Sequence, residues 1–316
     1  MEGKNKRLAV LVGCNYHNTP NELHGCINDV LAMRDTLVKR FKFEPANIEL
    51  LTDAPGSSSP LPTGANIKLA LARMVDRAEA GDVLYFHYSG HGTRIPSKKP
   101  GHPFRQEEAI VPCDFNLITD LDFRQLVNRL PRGASLTILS DSCHSGGLID
   151  KEKEQIGPSS LISETATPPK NYTYTPKAIP FESILQHLSS LTKINTTDIG
   201  THLLESFGAE ASLRFRLPLP DLESFSWQLR PDDGVLLSGC QADETSADMS
   251  PNEVGGKAYG AFSNAVQMVL KDNPDRISNK EVVMLARKLL QSQGFEQHPC
   301  LYCSDENADA TFLCQT

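Results

Sequence analysis

Apolar runs and amphipathic stretches alternate along the first half of the chain. Residues 8–12 form an unbroken apolar run, and Ile27, Val30, Leu31, Leu37, Val38 and Phe41 then recur at the spacing of one helix face. A second run at 48–51 precedes another helix face, made by Ile67, Ala70, Leu71, Met74, Val75 and Ala78, and a third run covers 83–88. Ile110 and Val111 predict a small accessory strand, 122–130 a helix stopped by Pro131, and 136–139 a fourth main strand. Strands that alternate with helices need crossover connections. The pattern therefore predicts an α/β fold with a mostly parallel central sheet flanked by helices on both faces.

The pattern lapses at 158–177, where eleven of twenty residues are Ser, Thr or Pro, and this stretch reads as a linker. Beyond it, 181–191 is weakly helical, polar residues dominate to about Pro231, and 235–237 is a strand. Ser278 and Glu281 predict a capping box for a helix carrying Val282, Leu285, Ala286, Leu289 and Leu290, closed by Gly294. The expected division is 1–157, a linker at 158–177, and 178–316, whose few strands complete the sheet begun by the first part. A length of 316 residues allows this as one large core.

Composition narrows the class. With 39% hydrophobic and 22% charged residues the chain is neither collagen-like nor disordered, and a net charge of -8 argues against nucleic acid as a main partner. Lys4, Lys6 and Arg7 lead straight into the first strand without a signal-peptide core, and no run approaches the ~20 apolar residues of a membrane span. The expectation is no membrane association and a cytoplasmic or nuclear location, or an extracellular one reached without a signal peptide. There eight cysteines stay thiols, and the sequons at Asn171 and Asn195 stay silent. Cys300 and Cys303 lack a second pair at ligand spacing, so no metal is expected there.

The candidate chemistry lies where two strands end. The third and fourth strands run out into Tyr88-Ser89-Gly90-His91-Gly92 and Asp141-Ser142-Cys143-His144-Ser145-Gly146-Gly147. Ligands of open parallel sheets bind beyond the carboxyl ends of the strands, so His91 and Cys143 are placed to meet there. An imidazole beside a thiol lowers the thiol's pKa and later protonates a leaving amine. The glycines let the backbone approach a substrate, and the N–H groups of Gly92 and Cys143 are candidates for an oxyanion hole. Taken singly, a cysteine or a histidine after a strand is more often packed or hydrogen-bonded than catalytic, but two glycine-flanked bursts together favour catalysis. Of the rival bases, His87 lies within its strand and His144 follows the nucleophile directly and must face elsewhere. His91 is the choice.

Three stretches, Leu23-His24-Gly25-Cys26-Ile27-Asn28-Asp29 and the two bursts above, resemble the signatures of metacaspases, cysteine proteases with a caspase-like fold. Ala109-Ile110-Val111-Pro112-Cys113-Asp114 and the linker point to the plant type II class, and similarity continues through 239–247, 258–263 and 297–300. The segment 148–157 narrows it to one member of that class. The resemblance implies a p20-like part before the linker, a p10-like part after it, and His91 and Cys143 as catalytic dyad. Asp29, Ser89 and Asp141 match positions of an acidic S1 pocket, which implies protein and peptide substrates cut after Arg or Lys. Paired carboxylates suit a guanidinium, and buried like charges become tolerable when a cation arrives. Asp29 equally suits a helix first turn. Cys26 matches an auxiliary nucleophile of the family, or is simply buried under the first helix. Protease inhibitors as partners, a monomeric state and a role in programmed cell death also follow from the resemblance.

One departure bears on calcium. Type II relatives carry an acidic run after the catalytic histidine, whereas 97–108 here holds Lys98, Lys99 and Arg105 against Glu107 and Glu108. Calcium takes ~6 to 8 oxygen ligands, so no cofactor is expected and activity should be calcium-independent. The resemblance places self-cleavage after Lys177, with that side chain held in the acidic pocket of a zymogen as a tethered substrate. His102 beside Arg105, Glu107 and Glu108 suggests gating by protons, with a mildly acidic working range. The competing readings are a catalytically silent scaffold of the same fold and a non-protease Cys/His hydrolase.

Overall fold

The computed structural model describes residues 5–96, 106–143, 148, 154–157, 174–218, 220–221, 234–241, 244–250 and 256–314. The first part runs β1 (Arg7–Gly13), α1 (Cys26–Lys39), β2 (Ile48–Thr52), α2 (Gly64–Asp76) and β3 (Val83–Ser89). It continues through β4 (Gly92–Pro96), β5 (Gln106–Ile110), β6 (Ile118–Thr119), α3 (Asp120–Asn128), β7 (Ser135–Asp141) and β8 (Glu154–Ile156). After 158–173, which lie outside the described residues, come β9 (Tyr174–Pro176), α4 (Phe181–Thr192), α5 (Ile199–Phe207), α6 (Leu213–Arg216), β10 (Val235–Ser238) and β11 (Ala247–Met249). The chain ends on β12 (Tyr259–Gly260), α7 (Ala261–Asp272), α8 (Asn279–Gln293), β13 (Cys300–Tyr302) and α9 (Asp305–Asp309).

A seven-stranded sheet, ordered β2-β1-β3-β7-β10-β13-β8, is parallel from β2 to β10 and antiparallel over its last two pairings. Strand residues alternate between its two faces. Leu8, Val10 and Val12 join the core under α2 and α3, while Ala9 and Leu11 join the one under α1, α7 and α8. Covering both faces demands continuous apolar runs, which is why 8–12 and 83–88 read as runs and not as alternations. Burying each large aliphatic side chain contributes about 1.5–3 kcal/mol, so these strands carry much of the stability. A third cluster packs α4 and α5 on the small sheet β4-β5-β6 through Ile95, Val111, Ile179, Ile184, Leu188 and Leu203.

Several elements differ from the sequence reading. Helix α1 buries Cys26, Val30, Met33 and Leu37, leaving Leu31 and Val38 half-buried, because Met33 completes the stripe that fits the sheet. Helix α3 starts at Asp120, earlier than expected, where the Asp122 carboxylate accepts the Thr119 N–H at 2.8 Å. Helices α5 and α6 occupy the stretch read as polar, and α7 occupies one to which the sequence reading assigned no element. The capping box before α8 is present, and Gly294 ends that helix at φ 86°, a left-handed conformation suited to glycine.

The strand ends define the site. Gly13, Ser89 and Asp141 are register neighbours at the carboxyl ends of β1, β3 and β7. Beside them a second small sheet, ordered β12-β11-β9, lays residues 174–176 antiparallel to 247–249.

Candidate active site

The segment leaving β9 drives one side chain into the fold. Lys177 is fully buried, although the Ser-, Thr- and Pro-rich stretch around it reads as a linker. Its Nζ lies 3.2 Å from Asp141 Oδ2 and 3.5 Å from Asp29 Oδ2, and donates to Ser89 Oγ at 2.9 Å. Ser89 Oγ in turn donates to Asp29 Oδ2 at 2.7 Å, and the Gly260 N–H donates to Asp29 Oδ1 at 2.9 Å. Asp141 is held by Ser246 Oγ at 2.6 Å and by the Ser263 N–H at 2.8 Å. Gly260 forms part of the wall, since a Cβ there would collide with Lys177 Nζ, Asp141 and Asp29.

Charge balance decides the protonation states. Burial pushes Asp29 up to about 7, against the pull of the Lys177 ammonium. Burial also raises Asp141, but Lys177 and the hydrogen bonds from Ser246 and Ser263 outweigh it and hold this carboxyl below its usual range. Burial opposes the charge on Lys177, yet Asp141 and the other acidic groups nearby keep its pKa above the ordinary lysine value. A buried pair of this kind is tolerated because each charge is matched and hydrogen-bonded.

The same residue meets the candidate dyad through its backbone. The Lys177 carbonyl accepts from the N–H of Gly92 at 3.0 Å and of Cys143 at 3.2 Å, the two groups expected of an oxyanion hole. A Cβ at position 92 would run into the Cys143 carbonyl, so only glycine allows this approach. Lys177 N–H donates to the Ser246 carbonyl at 2.9 Å, and Ile179 N–H to the Gly92 carbonyl at 3.0 Å, so chain on either side of the 177–178 bond is held as a strand. Cys143 Sγ is buried and accepts the Ser246 N–H at 3.0 Å.

The ring of His91 is also buried. Its Nε2 contacts the Asn21 carbonyl at 2.8 Å, and a carbonyl only accepts, so Nε2 carries the proton and Nδ1 the lone pair. Among the described residues Nδ1 finds no hydrogen-bond partner. Burial pushes the imidazole down to about 4, against the Asn21 contact, which leaves it a free base at neutral pH. His87 is buried too, pushed down to about 3 by burial, and its Nε2 pairs with Ser263 Oγ at 3.1 Å.

Thus Asp29, Ser89, Asp141 and Lys177 converge on one pocket, and His91, Gly92 and Cys143 surround the Lys177 carbonyl or its neighbourhood. Cys26 is fully buried as the first residue of α1, with its thiol pushed up by burial. His102, His144, Gly146 and Gly147 lie outside the described residues. Sequence reasoning missed Ser246, which touches both Cys143 and Asp141, and Asp248, whose carboxylate accepts the N–H groups of His24 and Gly25 at 2.8 and 2.9 Å. An acid inside the short strand Ala247–Met249 was the available signal for Asp248. For Ser246 the signal was its place in the resembling stretch 239–247.

A family model described as Caspase domain matches residues 6–310. Metacaspase-9 of Arabidopsis thaliana is 65% identical over 319 residues, covering 98% of this chain and 97% of that protein. The chain belongs to the metacaspases. Metacaspase-6 of Arabidopsis thaliana is 38% identical over 365 residues, covering 97% of this metacaspase and 99% of the relative. A crystal structure of a Geobacter sulfurreducens protein superposes with a TM-score of 0.60 at 18% identity, covering 98% and 99% of the two chains, and shares the fold. This metacaspase is accordingly a cysteine-type peptidase of the caspase-domain family acting on protein substrates. Among the described residues no helix is long and apolar enough to cross a membrane.

Proposed function

We propose that this metacaspase is an endopeptidase that cuts proteins after Lys or Arg, and that the chain is a precursor which cuts itself after Lys177. The seating of Lys177 carries the reading. A basic side chain fills a pocket of carboxylates while its own carbonyl oxygen receives two backbone N–H groups, as a P1 residue poised for attack would.

In this reading His91 Nδ1 takes the Cys143 proton, and the thiolate attacks the Lys177 carbonyl carbon. The oxygen gains negative charge against the N–H groups of Gly92 and Cys143. Collapse breaks the bond to Ala178, whose amine takes the proton from His91, and leaves a thioester on Sγ. Water, deprotonated by His91, then releases the Lys177 carboxylate and restores the thiol. A lowered imidazole pKa supports the first step, because the ring starts unprotonated.

Incubation of wild type should yield two fragments split after Lys177, while Cys143→Ala stays whole. Identical processing of both chains would sink the proposal. The processed enzyme should cleave Arg and Lys peptides and leave Asp peptides intact. We further infer calcium-independent turnover, on the cation-rich segment 97–108, and a mildly acidic working range. Loss of turnover in excess EGTA with recovery on calcium would overturn the first, and a flat profile from pH 5 to 8 the second.

A further inference from the structure

The turn between β1 and α1 reaches back onto His91 from three directions. Tyr16 takes φ 52°, left-handed for a bulky residue and therefore held in place by its surroundings. Asp53, just after β2, does the holding, since its two carboxylate oxygens accept the N–H of Asn15 at 2.8 Å and of Tyr16 at 2.6 Å. From there the buried Tyr16 ring stacks at a tilt on the His91 ring, 4.7 Å between centroids and 47° between planes. Its Oη accepts the His91 N–H at 2.9 Å and donates to the Val111 carbonyl. Five residues on, the Asn21 carbonyl accepts from His91 Nε2. Tyr88 completes the frame, its Oη donating to the His91 carbonyl at 2.8 Å.

We propose that Tyr16, clamped by Asp53, is a positioning residue for His91, fixing the imidazole's place and tilt while Asn21 on the same turn fixes its tautomer. This rests on the reading of His91 as the base of the dyad. One turn supplies the ring contact, the backbone acceptor and the Nε2 acceptor, so a shift of the turn moves all three together. The turn is in turn stiff. Thr19 Oγ1 donates to the Tyr16 carbonyl at 2.7 Å, and the Leu23 N–H to the Asn15 carbonyl at 2.8 Å. Small displacements of a proton-transfer group cost large factors in rate, whereas the hydrogen bonds and ion pairs given above for Lys177 Nζ, Asp29 and Asp141 come from other elements.

A double-variant cycle on the active enzyme with a lysyl amide tests it. Tyr16→Phe keeps the ring and removes the acceptor for the His91 N–H. It should lower kcat about tenfold and leave KM unchanged. In a His91→Ala background the same change should alter the residual rate by less than about twofold, because the group it acts through is gone. Asp53→Asn, which leaves the Tyr16 side chain intact, should follow the same pattern and serves if Tyr16→Phe does not fold. The proposal is overturned if Tyr16→Phe leaves kcat at the wild-type value, or lowers the His91→Ala rate by the same factor, as a purely structural role would. Near wild-type turnover by His91→Ala would instead overturn the assignment of the base.

Discussion

Lys177 joins two regions that are built on different principles. Its ammonium end sits among ionisable side chains, Asp29 and Asp141, in a fully buried pocket. Its carbonyl end sits among backbone N–H groups beside an imidazole held neutral by burial. The pocket is therefore sensitive to which charges are present and to pH, and the dyad to where atoms are placed. A change in the first should alter binding and precursor stability. A change in the second should alter turnover.

The largest expected effect comes from taking the cation away. In a Cys143→Ala background, so that both chains stay whole, Lys177→Gln leaves Asp29, Asp141 and Asp248 close together without a buried positive charge. Breaking a buried ion pair by removing one partner costs about 3–5 kcal/mol. The sign with pH follows from Lys177 being what lowers these carboxyls. Without it their pKa values rise above the unfolded value, so their contribution is full below about pH 4 and is lost as pH rises through the folded values. Asp29 stands at about 7 even with Lys177 beside it, which places the window at roughly pH 4 to above 7. The melting temperature gap between the two chains should widen from pH 5 to pH 8. A gap independent of pH would show that the pocket is held by packing and not by charge.

Next comes Asp141→Asn in the processed enzyme. It removes the carboxylate nearest Lys177 Nζ and leaves Asp29 at the longer distance. Truncating one side of a buried, hydrogen-bonded charge pair costs about 2–5 kcal/mol, so kcat/KM for a lysyl peptide should fall on the order of 100-fold. Most of the loss should be in KM. An equal loss in kcat would mean that the two regions are not separable.

These contrasts bear on what a sequence can disclose. His91 and Cys143 were expected from two glycine-flanked bursts at strand ends, whereas Asp29, Ser89 and Asp141 were expected only from the resemblance; the fold brings the three pocket residues together around Lys177. Burial of Lys177 was expected from the resemblance alone and not from its local sequence. Ser, Thr and Pro around it read as solvated linker, and its partners stand 88 residues away at Ser89 and 36 at Asp141. Asp248 and Tyr16 act on backbone N–H groups, 224 and 223 residues away for Asp248 and 75 for Tyr16, and a backbone group leaves no trace in residue identities. Helices α5 and α6 escaped because one turn to three turns of weak periodicity, set in polar sequence, is dominated by tertiary packing. Their apolar residues Ile199, Leu203 and Phe215 find their place only once the β4-β5-β6 sheet exists to receive them.

The smallest expected effect tests the boundary itself, since Ser246 bonds to both regions. Its Oγ donates to Asp141 Oδ1, while its N–H donates to Cys143 Sγ and its carbonyl receives the Lys177 N–H. Ser246→Ala deletes only the first of these. A hydrogen bond to a charged group contributes about 1.5–3 kcal/mol, so KM for a lysyl peptide should rise at least tenfold while kcat stays within about twofold. That bond is also one of the causes holding Asp141 below its usual range. Lysine in the pocket favours ionised Asp141, so binding is lost as pH falls through the carboxyl's pKa in the bound state. Weakening the hold raises that value, so the variant should lose lysyl peptide binding at a higher pH than wild type. If kcat falls with KM instead, the side chain of Ser246 also fixes the N–H that holds the thiol, and the charged pocket and the neutral dyad work as one unit through Ser246.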